Sequence, residues 1–303
     1  MNTDPSWDIY RTFGAVLREG SLSAAARSLG LTQPTVSRHI DALEAAIGAD
    51  LFVRTQRGLS PTDAALQLRP YVDSLAASAD ALVRTATGRP GVVEGTVRIS
   101  ASEVVGMEHL PPILAGLRRA YPGLTLELML SNAVDDLSRR RADVAVRMVQ
   151  PAQQALVARR LGTIPVGMHA RRDYLDRRGV PQTFDDLGRH DLIGYDAETP
   201  AIRAVVARFP ALSRSRFALR TDSDVAQLAA IRAGFGIGVC QVPIAARDPA
   251  LVRVLADRFT VDLEVWVVMH EDLRTSARCR AVFDALVDGL ARVVTREGPS
   301  EAP

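Results

Sequence analysis

The stretch LTQPTVSRHIDALEAAIG, residues 31–48, decides how this chain is read. Thr32 is placed to cap a helix, Pro34 sits in the first turn, and Gly48 is placed to end it. At about 100° per residue, Val36, Ile40, Leu43 and Ile47 fall on one narrow stripe. Pro34, Ser37 and Arg38 lie opposite, with Thr35 on the flank and Gln33 at the open N-terminal turn. One face is for packing. The other offers an amide, two hydroxyls, a guanidinium and a small apolar ring, the groups that read base edges in a DNA major groove. An ordinary amphipathic helix with a solvated polar face has the same stripe, so the neighbouring segments decide between the two.

Upstream, residues 6–19 carry Ile9, Phe13, Val16 and Leu17 at helical spacing, ended by Gly20. SLSAAARSLG (residues 21–30) follows, with Ser21 or Ser23 as cap, tightly packing alanines at 24–26 and Gly30 as stop. Three short helices, the last two joined by Gly30, Leu31 and Thr32, make a helix-turn-helix. The alanines matter because the second helix has to cross the third closely. Downstream, ADLFVRTQRGLSPTD (residues 49–63) reads as a two-strand wing carrying Arg54 and Arg57 near a phosphate backbone. Solvated loop charge explains those two arginines equally well if they are taken alone.

Ser60, Pro61 and Asp63 stand in capping-box order for a helix running to about residue 87. Within it Leu68, Val72, Leu75, Ala79, Leu82 and Ala86 form a heptad seam, and Pro70 predicts a kink. No second apolar face is present to build a monomeric bundle, so the seam reads as a dimerising linker. GRPGVVEGT (residues 88–96) has the composition of a hinge and marks the clearest domain boundary.

With 303 residues the chain has room for two or three domains. Hydrophobic residues make up 47% and charged ones 24%, ordinary for a soluble globular protein. No apolar run approaches the ~18–20 residues of a membrane helix. The start, MNTDPSWDIYRTF, lacks a secretory pattern, so a cytoplasmic location and no membrane partner are expected. Cys240 and Cys279 are far apart and the five histidines scattered, so packed thiols are expected and neither metal nor cofactor. The net charge is only +2, and all 37 basic residues are arginine. Residues 1–89 hold nine arginines against nine acids. Bulk charge therefore gives no argument for nucleic acid; placement has to.

From residue 97 onward, strand-like and helix-like stretches alternate, which predicts an α/β fold with a mostly parallel sheet and two small lobes. Strands are expected at 97–101, 124–130, 143–147, 156–161, 165–169, 190–195, 217–220, 238–242 and 263–269. Helices are expected up to about 120 and at 133–141, 172–178, 222–233 and 277–294, with a disordered tail at 298–303. In such folds ligands bind where strands end and helices begin. Two junctions qualify: Ser100, Ser102 and Glu103 in the first half, and the Thr221, Asp222, Ser223, Asp224 run in the second. Plain N-capping is the simpler explanation of either one alone. The glycines at 234, 236 and 238 lie between helix and strand, the reverse of a dinucleotide fingerprint, and suit a tight turn that brings backbone close to a ligand. No GxSxG, HExxH or P-loop is present, and no base or nucleophile is paired with Glu103 by motif, so no catalytic residues and no enzyme are expected.

Taken together, FGAVLREGSLSAAARSLGLTQPTVSRHIDALEAAIGADLFVRTQRG closely resembles the winged helix-turn-helix of LysR-type transcriptional regulators. AAARSLGLTQPTVSRHIDALE followed by LFVR is a highly specific combination. The likeness continues through LPPILAGLRRAYPGLTLEL, RRADVAVRM, LVARRLG, AGFGIG and RCRAVFDALVDGL, covering nearly the whole chain.

The resemblance implies a cytoplasmic bacterial regulator, usually a homotetramer, whose linker helices pair antiparallel. It implies binding to a dyad-symmetric double-stranded promoter site, with RNA polymerase a further candidate partner. It also implies an effector domain resembling type 2 periplasmic binding proteins, with a small-molecule site between lobes. By that likeness residues 1–60 bind DNA, 61–88 form the linker and 92–296 the effector domain. Lobe one is 92–162 plus 266–296, and lobe two 163–265. Gln33, Pro34, Thr35, Ser37 and Arg38 would meet bases or phosphates, and Arg54 and Arg57 the backbone. Ser100, Ser102, Thr221 and the backbone of Gly236 and Ile237 would line the effector cleft.

Three positions depart from the family pattern. Pro61 stands where Leu is usual, Ala65 where Gly is usual, and Glu103 where Pro is common. A carboxylate at Glu103 weakens binding of an anionic effector there, an effect Arg147 offsets if it faces the cleft. The alternative function is a small-molecule binding protein whose N-terminal module serves assembly only.

Overall fold

The computed structural model describes residues 5–55, 58–86, 91–132, 142–151 and 156–294. The chain divides into two compact units, one built from the residues before 88 and one mainly from those after.

The N-terminal unit contains α1 (Trp7–Glu19), α2 (Leu22–Leu29), α3 (Gln33–Ile47), β1 (Phe52–Thr55), β2 (Gly58–Pro61) and α4 (Asp63–Ala86). Ser21 caps α2 by accepting from the Ala24 N–H, and Gly30 ends it in the left-handed conformation (φ 68°), which a β-carbon would strain. Phe13, Val16, Ala25, Ala26, Val36, Ile40 and Leu43 close the core, with Leu51, Ala65 and Val72 sealing it. Ile47, in the last turn of α3, is exposed, so the buried stripe ends at Leu43. The capping expectation at residue 60 is corrected. Ser60 and Pro61 belong to β2, opposite Val53 and Phe52. The cap of α4 is Thr62, whose Oγ1 accepts from the Ala65 N–H at 3.3 Å and donates to the Asp50 carbonyl at 2.8 Å. Ala65 is fully buried, its methyl filling core space. Helix α4 runs unbroken through Pro70.

The second unit begins with β3 (Gly95–Ala101), α5 (Glu103–Glu108), α6 (Leu110–Ala120), β4 (Leu124–Leu130), β5 (Val144–Arg147) and β6 (Leu156–Arg171). It continues with α7 (Arg172–Arg178), β7 (Leu192–Gly194), α8 (Pro200–Arg208), β8 (Phe217–Arg220) and α9 (Asp224–Arg232). β9 (Gly238–Gln241), α10 (Val242–Ala245), β10 (Leu251–Val254), β11 (Val261–His270) and α11 (Ala277–Leu290) complete it. The helix expected at 133–141 and the tail at 298–303 lie outside the described residues.

The sheet runs β10-β6-β11-β5-β3-β4, with β9 also on β6. It is mixed, not mostly parallel. β3 is parallel to β4 and β5, and β7 to β8, but β6 is antiparallel to β9, β10 and β11, and β11 to β5. The two short strands expected at 156–161 and 165–169 are one 16-residue strand. Its ribbon with β11 shifts register between Val265 and Trp266, opposite Gly162 and Arg160. That ribbon reaches from the half of the sheet holding β5, β3 and β4 to the half holding β9 and β10. The helix expected to run to 120 is broken at His109, where the Pro111–Pro112 pair opens α6.

One core gathers Val97, Ile99, Leu110, Leu124, Val144, Val267 and the α11 residues Val282, Phe283 and Leu286. A second gathers Met168, Leu192, Phe209, Ile237 and Phe259, and a third joins Val104 of α5 to Ile193, Leu228, Ile231 and Ile244.

Candidate functional site

Helix α3 presents two unlike faces. Val36, Ile40 and Leu43 are buried, while Gln33, Pro34 and Arg38 are exposed and Thr35 and Ser37 half-buried. Thr32 accepts from the Thr35 N–H at 3.4 Å, and the two hydroxyls meet at 2.8 Å. The rear of α3 is locked to α1. Thr12 spends its hydroxyl proton on the Asp8 carbonyl, so His39 Nδ1 donates to Thr12 Oγ1 at 2.8 Å. Glu44 Oε1 accepts from the Leu51 and Phe52 N–H groups at 2.7 and 3.2 Å, fixing where β1 begins. Arg54 is exposed on β1, opposite Leu59, and Arg57 lies outside the described residues. His39 and Glu44 carried no signal in the sequence.

In the second unit a cavity of about 240 Å³ opens where β3, β5, β9 and α9 converge. Ser102, Asn132, Arg147, Tyr195, Asp224 and Gln241 supply its polar lining, beside Val146, Met148, Val166, Val239 and Leu263. Ser102 precedes α5 without bonding to its amides through its side chain, so the hydroxyl remains at the cavity wall. Arg147 is buried and donates to Ser100 Oγ and the Val146 carbonyl, both at 3.0 Å. Ser100 thus stands behind Arg147, not in the cavity wall.

Helix α5 and its flanks are tied across to α9 and β9. Ser223 donates to Glu103 Oε2 at 2.7 Å, so the departing carboxylate is engaged by a hydroxyl. Asn132 accepts from the Glu103 N–H at 3.1 Å and donates to Asp224 Oδ2 at 3.3 Å. Tyr195 donates to Asp224 Oδ1 at 3.0 Å. His109 Nε2 donates to Gln241 Oε1 at 2.8 Å, and Glu108 pairs with Arg232 at 2.7 Å and Arg247 at 3.2 Å.

These contacts set the local electrostatics. The Arg232 guanidinium holds the Glu108 carboxyl below the usual range, and burial lowers His109. Burial pushes Asp224 up, helped by the negative charge of Glu103, and burial together with Asp224 raises the Tyr195 phenol. Burial pushes the Cys240 thiol up to about 12, which makes it a packed hydrophobe more than a nucleophile. His169, 3.3 Å from that sulfur, is held neutral with its pKa lowered to about 4 by burial.

The other expected cleft residues stand elsewhere. Thr221 donates its N–H to the Gly194 carbonyl, and its Oγ1 accepts from the Ser223 N–H, so it shapes the α9 cap. The Ile237 N–H donates to the Asp191 carbonyl and its carbonyl accepts from the Ile193 N–H, so that backbone joins β7 and stands outside the cavity lining. Gly236 packs so tightly on the Asp191 carbonyl that no β-carbon fits. Asn132, Tyr195 and Gln241 were missed; none stands in a recognisable motif, and only the fold brings them together. Among the described residues no group of His, Cys, Asp or Glu is arranged to hold a metal. No helix among them is long and apolar enough to cross a membrane.

A small helical unit that exposes one face of α3, followed by a two-lobed α/β unit whose cavity is lined by Ser102, Arg147 and Asp224 among apolar side chains, is the build of a ligand-responsive regulator. The family profile "LysR substrate binding domain" matches residues 90–291, and "Bacterial regulatory helix-turn-helix protein, lysR family" matches residues 7–66. The chain belongs to the LysR family of bacterial transcriptional regulators. An HTH-type transcriptional regulator of Xanthomonas campestris pv. campestris is 32% identical over 178 residues, 59% of this chain. The match spans 52% of that relative's length. The probable HTH-type transcriptional regulator LtrA of Klebsiella pneumoniae is 28% identical over 90% of this chain and 91% of its own. The solved full-length virulence activator AphB of Vibrio cholerae shares the fold with a TM-score of 0.61, at 22% identity over 93% of this chain and 99% of that one.

Proposed function

We propose that the chain is a cytoplasmic, sequence-specific DNA-binding regulator whose output is set by a small molecule held between the lobes of its effector unit. The single observation that carries this reading is α3, whose packing face is buried while Gln33, Pro34 and Arg38 stand clear of the unit. Gln33, Pro34, Thr35, Ser37 and Arg38 contact bases or phosphates of double-stranded DNA, and Arg54 and Arg57 track the backbone. Ser102, Arg147, Asn132, Tyr195 and Asp224 meet the effector.

The site is dyad-symmetric and the protein self-assembles, as a dimer through α4 and as a tetramer of such dimers. The exposed Leu75 and Leu82 on the expected seam of α4 support this. Residues 1–60, 61–88 and 92–296 divide the work among DNA reading, linking and sensing, and RNA polymerase is the target of the bound regulator. The protein acts by binding, without turnover. Effector and DNA are coupled, and the coupling is reciprocal.

Footprinting on the DNA upstream of its own gene, with and without candidate metabolites, tests the reading. A protected dyad whose extent changes with a metabolite supports it. No preference over random duplex contradicts it and returns the assembly-only alternative.

A further inference from the structure

A second cavity lies beside the cleft, under α8. Its volume is about 200 Å³, and its walls include Ile193, Ile202, Val205, Leu212, Phe217 and Phe259. Helix α8 covers it in an unusual way. Ile202, Val205 and Val206 recur at i, i+3 and i+4, the spacing of a core-facing stripe, yet no residue of α8 is buried. The helix is nevertheless well formed, with Thr199 accepting from the Ile202 N–H at 3.2 Å. Its apolar face therefore looks onto space where a packed domain has atoms.

The space suits hydrocarbon better than water. Gln227 and Tyr195 are the polar side chains in its lining, and Gln227 Nε2 donates to the Thr221 carbonyl at 2.9 Å. A buried water needs two to four polar partners, whereas an apolar cavity of about 150 Å³ stays dry and already admits benzene.

The two cavities share a wall. Val166, Tyr195, Val239 and Leu263 line both. Tyr195 is the one polar side chain of that shared wall, and its hydroxyl is tied to Asp224 Oδ1 on the cleft side.

We propose that the cavity under α8 seats an apolar group of about benzene size, reached from the cleft past Tyr195, while the same ligand keeps a hydrogen-bond-donating head against Asp224. The effector is then an amphipathic small molecule, and its tail replaces missing packing between α8 and the lobe. A donor head matches Asp224, with Glu103 nearby, whereas Arg147 in the same cleft lining already donates to Ser100 Oγ and the Val146 carbonyl. This inference rests on the effector reading above.

Calorimetric titration of the full-length protein with 2-phenylethylamine, methylamine, phenylacetate and toluene tests it. The amine with the ring binds at least tenfold more tightly than methylamine and than phenylacetate. Val205→Trp, which fills the cavity, weakens 2-phenylethylamine and toluene at least tenfold, and Ala201→Phe does the same by an independent route. Asp224→Asn weakens the amine and leaves toluene unchanged. Equal affinity for the two amines, tighter binding of phenylacetate, no binding of 2-phenylethylamine or toluene, or a filled cavity that still binds 2-phenylethylamine overturns the proposal. DNA binding of each variant is measured alongside. Loss of sequence preference with ring binding intact contradicts the regulator reading instead, and the reverse pattern contradicts only the cavity.

Discussion

Glu108 and Arg232 meet at 2.7 Å, joining the end of α5 to the end of α9, and Arg247 reaches the same carboxylate from the chain after α10. The arginines are 38% and 49% exposed, so water screens the cluster and its worth is about 1 kcal/mol. Because the folded carboxyl titrates below its usual value, that stability is present above about pH 4.3, the unfolded value. It is lost as pH falls through the folded one. Glu108→Gln lowers the unfolding midpoint at pH 7, and the gap from wild type closes in acid. Thermal unfolding of both proteins across pH checks this.

His169 is buried, and its Nδ1 donates to the Gly167 carbonyl at 2.9 Å. With the folded pKa at about 4 against about 6.5 unfolded, the neutral ring contributes stability above pH 6.5. About 3 kcal/mol of it disappears as pH falls from 6.5 to 4. His169→Gln has a flatter stability profile over that window, read by denaturant unfolding at each pH.

Asp224 has the opposite sign. Its folded carboxyl titrates above the unfolded one, so its favourable contribution exists in acid and is lost as pH rises through the folded value. Asp224→Asn, which keeps an oxygen for the Tyr195 hydroxyl, raises the unfolding midpoint at pH 7 and gives no gain at about pH 3, below the unfolded aspartate value.

Leu75 is 43% and Leu82 70% exposed on α4, although both lie on its heptad seam. Val72 of the same seam is buried against the N-terminal core. Leu82→Glu therefore leaves the fold intact and dissociates the assembly. Sedimentation velocity shows a smaller species, while circular dichroism is unchanged.

The N-terminal unit was legible because local signals agree with the fold. Ser21, Thr32 and the stop glycines sit where capping chemistry puts them, and Val36, Ile40 and Leu43 are buried. Ser60 misled because a cap and a strand end look alike without the Phe52–Pro61 pairing. In the effector unit, alternation revealed the class but not the strand directions. Nothing local distinguishes two short strands from β6, whose continuity is set by β11 pairing along it. Ser102 was found by its position after β3 and Arg147 at the end of β5, and both line the cleft. Thr221, Gly236 and Ile237 were named for the cleft through the family resemblance, yet their polar groups are engaged by neighbouring backbone or packed against it. Asn132, Tyr195 and Gln241 converge only in three dimensions.

The central claim is that α3 reads DNA sequence through a few placed groups on an otherwise charge-balanced module. Titration of wild type and Arg38→Ala against a footprinted upstream site and a random duplex, at one fixed salt concentration, tests it most directly. The prediction is a loss of about 1–3 kcal/mol on the specific site, with a smaller loss on random duplex. Equal affinity of the two proteins for the specific site would contradict the account.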